Sequence, residues 1–202
     1  MWLATVILMG PAIVTLQYVA PSLYAVWTHH RLPWDGITFA LLSVSIVLNG
    51  VTQPPRAIVR GNNLLRAQLS ASIWAGAVLL AVTWAATGRL GLPGAALGLV
   101  GAEAARLLVN SRSGYRWLAA RELVPPRAIV EGVGAVALTT SAAMLILAAL
   151  PGLGAVVFVA YLVIWAFLAR RFYVNLPAPL KAVIHKHVVQ LVRCRIGGFR
   201  GA

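Results

Sequence analysis

Long apolar blocks separated by short polar segments are the feature that most limits how this chain can fold. Each block is at least 17 residues long, and about 20 apolar residues in a helix cross the hydrocarbon core of a bilayer. Backbone N–H and C=O groups in lipid must be paired within the protein, so such blocks cross as helices. The blocks cover residues 2–27, 36–52, 68–87, 92–109, 128–150 and 153–169. The sequence therefore predicts an all-α polytopic membrane protein with six transmembrane helices.

The composition excludes a soluble domain. Hydrophobic residues make up 60% of the chain and charged residues 10%, and the mean hydropathy is +0.85, whereas a soluble surface needs far more charge. The excess of 17 Lys and Arg over 4 Asp and Glu is also typical of proteins that bind nucleic acid. Here, however, the basic residues lie in short connections and a tail, where retention on the cytoplasmic side of a membrane explains them. We therefore predict the lipid bilayer as a partner and no nucleic acid.

The basic residues also predict the orientation of the helices. The segment QPPRAIVRGNNLLRAQ (residues 53–68) contains a proline pair and three arginines, which predicts a cytoplasmic loop. Residues 110–127 form a second basic connection on the same side. With the N-terminus inside, Arg31 and Arg89 are the only two of the 17 Lys and Arg residues that fall outside. The sequence therefore predicts that both termini are cytoplasmic.

Residues 172–202 are predicted to form a cytoplasmic tail that follows the bundle of residues 1–171. After Pro177 and Pro179, apolar side chains recur at helical spacing over residues 180–192, and basic and polar side chains occupy the other side. This pattern is typical of a basic amphipathic helix on an anionic membrane surface.

Polar side chains in or beside the apolar blocks are the candidate substrate-cavity residues, because such groups at membrane depth face a cavity or another helix. They are Gln17, Asn49, Gln68, Glu103 and Arg106, with Arg31 as a candidate at the outer rim. Glu103 and Arg106 are three residues apart and therefore adjacent on one helical face. Two interpretations stay open. The pair lines a cavity that contacts substrate or a coupling ion, or Arg106 extends to the cytoplasmic interface with Glu103 as its partner.

Glycines at spacings of four and three mark one face of the fourth block. They are Gly94, Gly98 and Gly101. Small residues on one helical face allow two backbones to approach closely in a membrane. The sequence therefore predicts that this helix is packed inside the bundle.

No catalytic signature is found in the sequence. The patterns HExxH, GxSxG and Walker A are absent, and each of them would point to a specific chemistry. His29 and His30 are adjacent and so fall on different faces of a helix, and a single cysteine, Cys194, excludes a multi-cysteine metal site. We therefore predict a protein that is not an enzyme and has no catalytic residue, no metal site and no cofactor.

Three features follow one another within residues 1–171: a proline-containing helix that ends near Tyr24–Trp27, a following helix that stops before a basic glycine turn at Arg60-Gly61, and a small-residue helix entered through Gly91-Leu92-Pro93-Gly94-Ala95-Ala96. Their order and spacing resemble the C-terminal region of polysaccharide flippases, the Wzx-type lipid-linked oligosaccharide exporters of the MOP exporter superfamily. The resemblance covers residues 1–171. No invariant motif of that family assigns site residues, so the candidates above come from membrane depth alone.

Members of that family have two lobes of helices around a central cavity, which opens alternately to each side and moves an undecaprenyl-diphosphate-linked glycan. The resemblance implies a multi-pass protein of the bacterial inner membrane that acts in cell-envelope or exopolysaccharide synthesis, with a polyprenyl-diphosphate-linked glycan as partner. Arginines in the cavity would then meet the diphosphate, which a guanidinium binds bidentately.

Six helices correspond to roughly the last half of such a protein. The resemblance therefore also implies a fragment or half-transporter, which needs the missing N-terminal lobe or a second subunit. Two alternatives stay open, a non-catalytic scaffold subunit of an envelope-synthesis complex and a MOP-type exporter of small molecules. The scaffold is favoured if Glu103 and Arg106 meet at a helix contact with no cavity beside them.

Overall fold

The computed structural model of the chain describes residues 2–123 and 126–175. Six α-helices occupy most of these residues, and the described part contains no β-strand. The helices are α1 (Trp2–Trp27), α2 (Gly36–Gly61), α3 (Leu65–Leu90), α4 (Leu92–Ala119), α5 (Arg127–Ala149) and α6 (Gly154–Asn175). The prediction of an all-α fold is confirmed. The predicted amphipathic helix of the tail lies outside the described residues.

Helix length and composition agree with insertion into a membrane. Five helical segments are long and apolar enough to cross a bilayer: Gly36–Gly61, Leu65–Leu90, Leu92–Ala119, Ile129–Ala149 and Pro151–Val174. Helix α1 has 26 residues, a length of about 39 Å at 1.5 Å per residue. Large apolar side chains lie on the outside of the bundle, and Trp84 on α3 is 86% exposed. Lipid tails solvate such a surface, whereas water does not. The chain thus has the features of a multi-pass membrane protein.

The helices α2 and α4 are longer than the sequence-based prediction. The basic segment of residues 53–68 is not a loop, because α2 continues through Pro54 and Pro55 to Gly61 and α3 begins at Leu65. The loop was predicted from the three arginines and the proline pair, and a proline inside a helix removes one backbone hydrogen bond and disfavours the turn before it. Helix α4 likewise continues to Ala119, through much of the second basic connection.

Two short turns reverse the chain at the ends of α3. Between α2 and α3, Asn62 bonds the carbonyl of Ile58 through its side chain at 2.8 Å, and Asn63 adopts a φ of +53°. Asparagine tolerates this left-handed conformation better than most residues. Between α3 and α4, Gly91 has a φ of +62°, a conformation that glycine adopts without strain. Helix α3 therefore folds back onto α4, its main neighbour, and touches α2 at few positions.

Helix α4 packs closely against α3 and α2. A Cβ atom placed on Gly94 would lie 2.6 Å from the backbone of Ala86 on α3, and one on Gly98 would overlap the side chain of Thr83. Both glycines are buried. Small residues thus bring the two backbones together, and the predicted packing of this helical face is confirmed.

Helix α2 also contacts α1 and α5, which pack against each other. Val14 on α1 and Met144 on α5 are fully buried. Thr140 on α5 and Tyr161 on α6 share a buried hydrogen bond of 3.1 Å, and a Cβ on Gly10 of α1 would lie 2.8 Å from that tyrosine hydroxyl. All of these contacts lie within the compact unit that ends at Trp165.

Asp35 caps the amino-terminal end of α2. Its Oδ2 accepts a hydrogen bond from the Thr38 hydroxyl at 2.6 Å, and its Oδ1 accepts one from the Thr38 backbone N–H at 3.0 Å. These two bonds hold the pKa of Asp35 below its ordinary value, because they favour the charged carboxylate. The cap is therefore charged at neutral pH and fixes where α2 begins.

Candidate functional site

A polar pocket of about 80 Å³ lies between α2, α3 and α4. Each of the three helices contributes two polar side chains four residues apart, the spacing that places side chains on one helical face. The lining residues are Arg56 and Arg60 from α2, Gln68, Ala71 and Ser72 from α3, and Arg106 and Asn110 from α4. We refer to this site as the arginine pocket.

The continuation of α2 past the proline pair places two of the arginines in the pocket. Pro55 is buried against α4 beside the buried Gly114, where a Cβ would make ordinary van der Waals contact with the Pro55 carbonyl oxygen at 3.6 Å. Packing against α4 thus supports a turn of α2 that the prolines alone disfavour. Arg56 and Arg60 follow in the last two turns of the helix, where cations are favoured by the helix dipole.

Arg106 is the third cation of the pocket, and Glu103 is its ion-pair partner. The Nη1 atom of Arg106 lies 2.5 Å from Oε1 of Glu103. The Oε2 atom of Glu103 accepts a hydrogen bond from Asn49 Nδ2 on α2 at 3.2 Å. Asn49 Oδ1 in turn accepts from Gln53 Nε2 at 2.7 Å. A chain of polar contacts therefore joins α2 to α4 directly beside the pocket.

Amide side chains form part of the remaining wall of the pocket. Asn110 is buried and donates from Nδ2 to the Arg106 carbonyl oxygen at 2.9 Å. Gln68 Nε2 lies 3.5 Å from the Val59 carbonyl oxygen, a long contact between the start of α3 and the end of α2. Because the amide groups of Asn110 and Gln68 are both donors and acceptors, they can bond to the oxygens of a bound anion once they reorient.

The charge of the pocket is strongly positive. Three of its lining residues are arginines and none is acidic, and within the part of the chain that the structure describes Glu103 is the one carboxylate that forms an ion pair with any of them. Across residues 2–123 and 126–175, neither Arg56 nor Arg60 forms an ion pair. Guanidinium groups clustered around a partly enclosed space attract anions and bind carboxylate or phosphate through paired N–H bonds. The arrangement is therefore suited to an anionic group, phosphate in particular.

The structure brings together four of the six predicted site residues. Gln68 and Arg106 line the arginine pocket, and Asn49 and Glu103 lie next to it through the contacts above. The structure agrees with one part of each interpretation of the Glu103–Arg106 pair. Arg106 lines a pocket, as the cavity interpretation predicts, and Glu103 is the ion-pair partner of Arg106, as the interface interpretation predicts. The functional roles of these residues stay predictions.

Gln17 and Arg31 lie apart from the arginine pocket. Gln17 on α1 is 4% exposed, and its Nε2 lies 3.4 Å from the Gly36 carbonyl oxygen. Its Oε1 atom has no hydrogen-bond partner within the described residues. Arg31 is exposed in the segment between α1 and α2. The sequence analysis grouped the candidate residues by their membrane depth alone, and the fold places Gln17 and Arg31 apart from the others.

Four polar pocket residues were missed by the sequence analysis. They are Arg56, Arg60, Ser72 and Asn110. The i,i+4 spacing within each helix was a usable signal, but the proline pair led to a predicted loop at Arg56 and Arg60. No group of three or more His, Cys, Asp or Glu side chains that could hold a metal ion occurs in the part of the chain that the structure describes.

These observations define a class: a helical protein with several helices able to cross a membrane and a cationic pocket between three of them. Comparison of the chain with protein-family models, with curated proteins and with solved structures finds no match to any of them. The site itself therefore carries the functional argument.

Proposed function

We propose that this protein is all or part of a membrane transporter of the polysaccharide-exporter type, which moves a lipid-linked oligosaccharide across the bacterial inner membrane. The observation that carries the proposal is the arginine pocket, in which Arg56, Arg60 and Arg106 surround a space between membrane-length helices. Arg106 lies within the fourth apolar block, and charged side chains at membrane depth are costly and are retained for function. A polyprenyl-diphosphate headgroup supplies the negative charge that such a pocket would bind.

The size of the pocket favours a phosphate group over a larger ligand. A volume of about 80 Å³ holds a few water molecules, since each occupies about 30 Å³ in the liquid. Drug-sized molecules occupy pockets of about 300–1,000 Å³, so this pocket takes in one charged group of a ligand and does not enclose a whole small molecule. In the proposed complex one phosphate enters the pocket, and Arg60, which is exposed, contacts the second. The glycan and the polyprenyl chain remain outside it.

The positive charge distribution supports an inner-side location for the pocket. With the N-terminus inside, the pocket lies near the cytoplasmic end of α2 and the start of α3, where the predicted inner-side arginines cluster. A headgroup would then enter from the cytoplasmic leaflet. The second lobe, or a second subunit, would complete the cavity around the glycan.

A scaffold function is less well supported than transport. A scaffold would need Glu103 and Arg106 only as a helix contact with no cavity beside them. Glu103 does form such a contact with Asn49, but Arg106 also lines the arginine pocket and its side chain is 40% exposed. The cavity beside the ion pair favours a protein that binds a ligand there.

A genetic experiment tests the proposal in the organism that encodes the chain. We expect that deletion of the gene stops the appearance of a surface polysaccharide and leaves its lipid-linked precursor on the cytoplasmic leaflet. Wild-type protein should restore export, whereas an Arg106→Gln variant that inserts normally should restore less than a tenth of it, because a charge-assisted phosphate contact is lost. Normal export of every cell-surface polysaccharide in the deletion strain would contradict the proposed function.

A further inference from the structure

Glu103 is the acidic residue that can act on the charge of the arginine pocket. The other three acidic side chains lie elsewhere: Asp35 caps the opposite end of α2, Glu122 follows α4, and Glu131 pairs with Arg127 at the start of α5. The Glu103 side chain is 13% exposed, compared with 62% for Glu131. A carboxylate buried among helices interacts more strongly with nearby charges than one in water.

Both carboxylate oxygens of Glu103 are engaged. Oε1 contacts Arg106 Nη1 at 2.5 Å, and Oε2 accepts from Asn49 Nδ2 at 3.2 Å. The second contact comes from another helix, so the carboxylate is held in place from two directions. Glu103 does not line the pocket itself. It is therefore a fixed negative charge behind the pocket wall.

Arg106 is shared between this carboxylate and the pocket. A guanidinium has five N–H donors, and the Arg106 side chain remains 40% exposed while it contacts Glu103. An anion in the arginine pocket reaches the same guanidinium. Two anions that share one cation weaken each other's binding, because they repel each other and divide its hydrogen bonds.

We propose that Glu103 is an internal competitor of the bound anion. Its carboxylate offsets part of the charge of Arg106 and so sets the affinity of the pocket for phosphate groups. This inference rests on the proposed function, because it requires that the pocket binds phosphate. A pocket with three uncompensated arginines would hold a diphosphate tightly and release it slowly, whereas transport requires both binding and release. Glu103 is an affinity-determining residue: its negative charge repels the bound anion directly and also occupies the guanidinium of Arg106.

The test is the affinity of the full chain for inorganic diphosphate, measured by calorimetry in nanodiscs of zwitterionic lipid. The Glu103→Gln variant keeps the side-chain shape and can still accept from Asn49, but it lacks the negative charge. We expect it to bind diphosphate about tenfold more tightly than wild type, the effect of removing one nearby unit charge. A residue with only a structural role would leave the affinity unchanged or lower it, and either result would overturn the proposal.

A matched control separates charge from helix contact. Asn49→Ala removes the hydrogen bond between α2 and α4 but keeps the Glu103 carboxylate, so its affinity should stay within about twofold of wild type. If Asn49→Ala tightened binding as much as Glu103→Gln, the helix contact would explain the effect and the competitor role would be wrong.

A second pair of variants covers the case in which Glu103→Gln does not fold. Arg106→Gln leaves Glu103 as an unpaired negative charge beside the pocket, whereas Glu103→Gln/Arg106→Gln removes both charges. The double variant should bind diphosphate about tenfold more tightly than Arg106→Gln alone. Equal affinities would overturn the proposal.

The outcomes also distinguish this inference from the proposed function. If wild-type protein binds no diphosphate, both the competitor role and the proposed function are overturned. If wild-type protein binds diphosphate and Glu103→Gln binds it with the same affinity, only the competitor role is overturned. The same titration with polyprenyl diphosphate in the nanodisc identifies the source of the phosphate. If Glu103→Gln binds both probes more tightly than wild type, the result supports a lipid headgroup as the ligand. If it binds only inorganic diphosphate more tightly, the result supports a soluble phosphate compound and contradicts the lipid substrate.

Discussion

Replacing Arg56 and Arg60 together by glutamine is expected to weaken the binding of a polyprenyl diphosphate by about 100-fold or more. Each arginine donates charge-assisted hydrogen bonds, which contribute about 1.5–3 kcal/mol apiece, and 1.4 kcal/mol corresponds to a factor of ten in affinity. Both side chains line the arginine pocket and lie one helical turn apart on α2. The measurement is a titration of purified protein in nanodiscs with the lipid diphosphate.

The chain offers a matched control for this double substitution. Arg112 and Arg116 are also four residues apart, are exposed, and lie on α4 outside the arginine pocket. Replacing them by glutamine removes the same charge from the same predicted side of the membrane. We expect the affinity of this control to fall less than threefold, through long-range electrostatics alone. An equal loss in both double variants would show that the pocket does not bind the headgroup specifically.

The second large effect is expected at the contact between α3 and α4. Gly94→Ala should lower the free energy of unfolding by about 3 kcal/mol, the upper part of the range for overpacking. The added Cβ would lie 2.6 Å from the backbone carbonyl group of Ala86, and 2.7 Å from the backbone nitrogen of Thr87. Backbone atoms cannot rotate away as a side chain can, so the two helices must separate. The measurement is a denaturant titration in detergent micelles.

Gly76→Ala is the control for Gly94→Ala. Gly76 lies on α3, and a Cβ there meets no atom within 4 Å. Since alanine favours the helix over glycine, this variant should be more stable than wild type by about 0.5–1 kcal/mol. Equal stability of the two variants would contradict the close approach of α3 and α4. Separation of these helices should also open the arginine pocket, so Gly94→Ala should bind diphosphate more weakly.

Much of the fold could be predicted from hydrophobicity and small-residue spacing. In a bilayer a long apolar block has few alternatives to a helix, so the presence of six helices followed directly from the sequence. The closely packed face of α4 was also predictable, because Gly94 and Gly98 are four residues apart and small residues on one helical face allow close helix packing in a membrane. The neighbours of that face were not predictable, since the glycines indicate close packing without indicating which helix supplies it.

The candidate site was predicted only in part, and the reason is local. Proline is a strong indicator of a helix end, but contact between Pro55 and Gly114 of α4 accompanies the continuation of α2. Tertiary packing thus outweighed local preference at this position. Arg56 and Arg60, taken as loop residues that report orientation, therefore became pocket residues. Asn49 and Glu103 were grouped because each is polar at membrane depth, and the structure joins them by a hydrogen bond.

Gln17 shows the limit of the membrane-depth argument. It lies inside a predicted apolar block, on α1, and its Nε2 is near the Gly36 carbonyl oxygen. A polar side chain at membrane depth indicates that it faces protein or a cavity, without indicating which of the two. The sequence could not separate these cases, because the distinction depends on which helices are neighbours.

The central claim is that the arginine pocket binds the diphosphate of a lipid-linked oligosaccharide. The most direct measurement compares the affinity of wild-type protein in nanodiscs for a polyprenyl-diphosphate oligosaccharide with that for the same oligosaccharide on an uncharged polyprenyl ether. The account predicts that wild-type protein binds the diphosphate lipid at least 100-fold more tightly, because the uncharged lipid lacks two or more charge-assisted contacts. In the Arg56→Gln/Arg60→Gln protein this difference in affinity should be largely abolished. Equal affinity for the charged and uncharged lipids would contradict it.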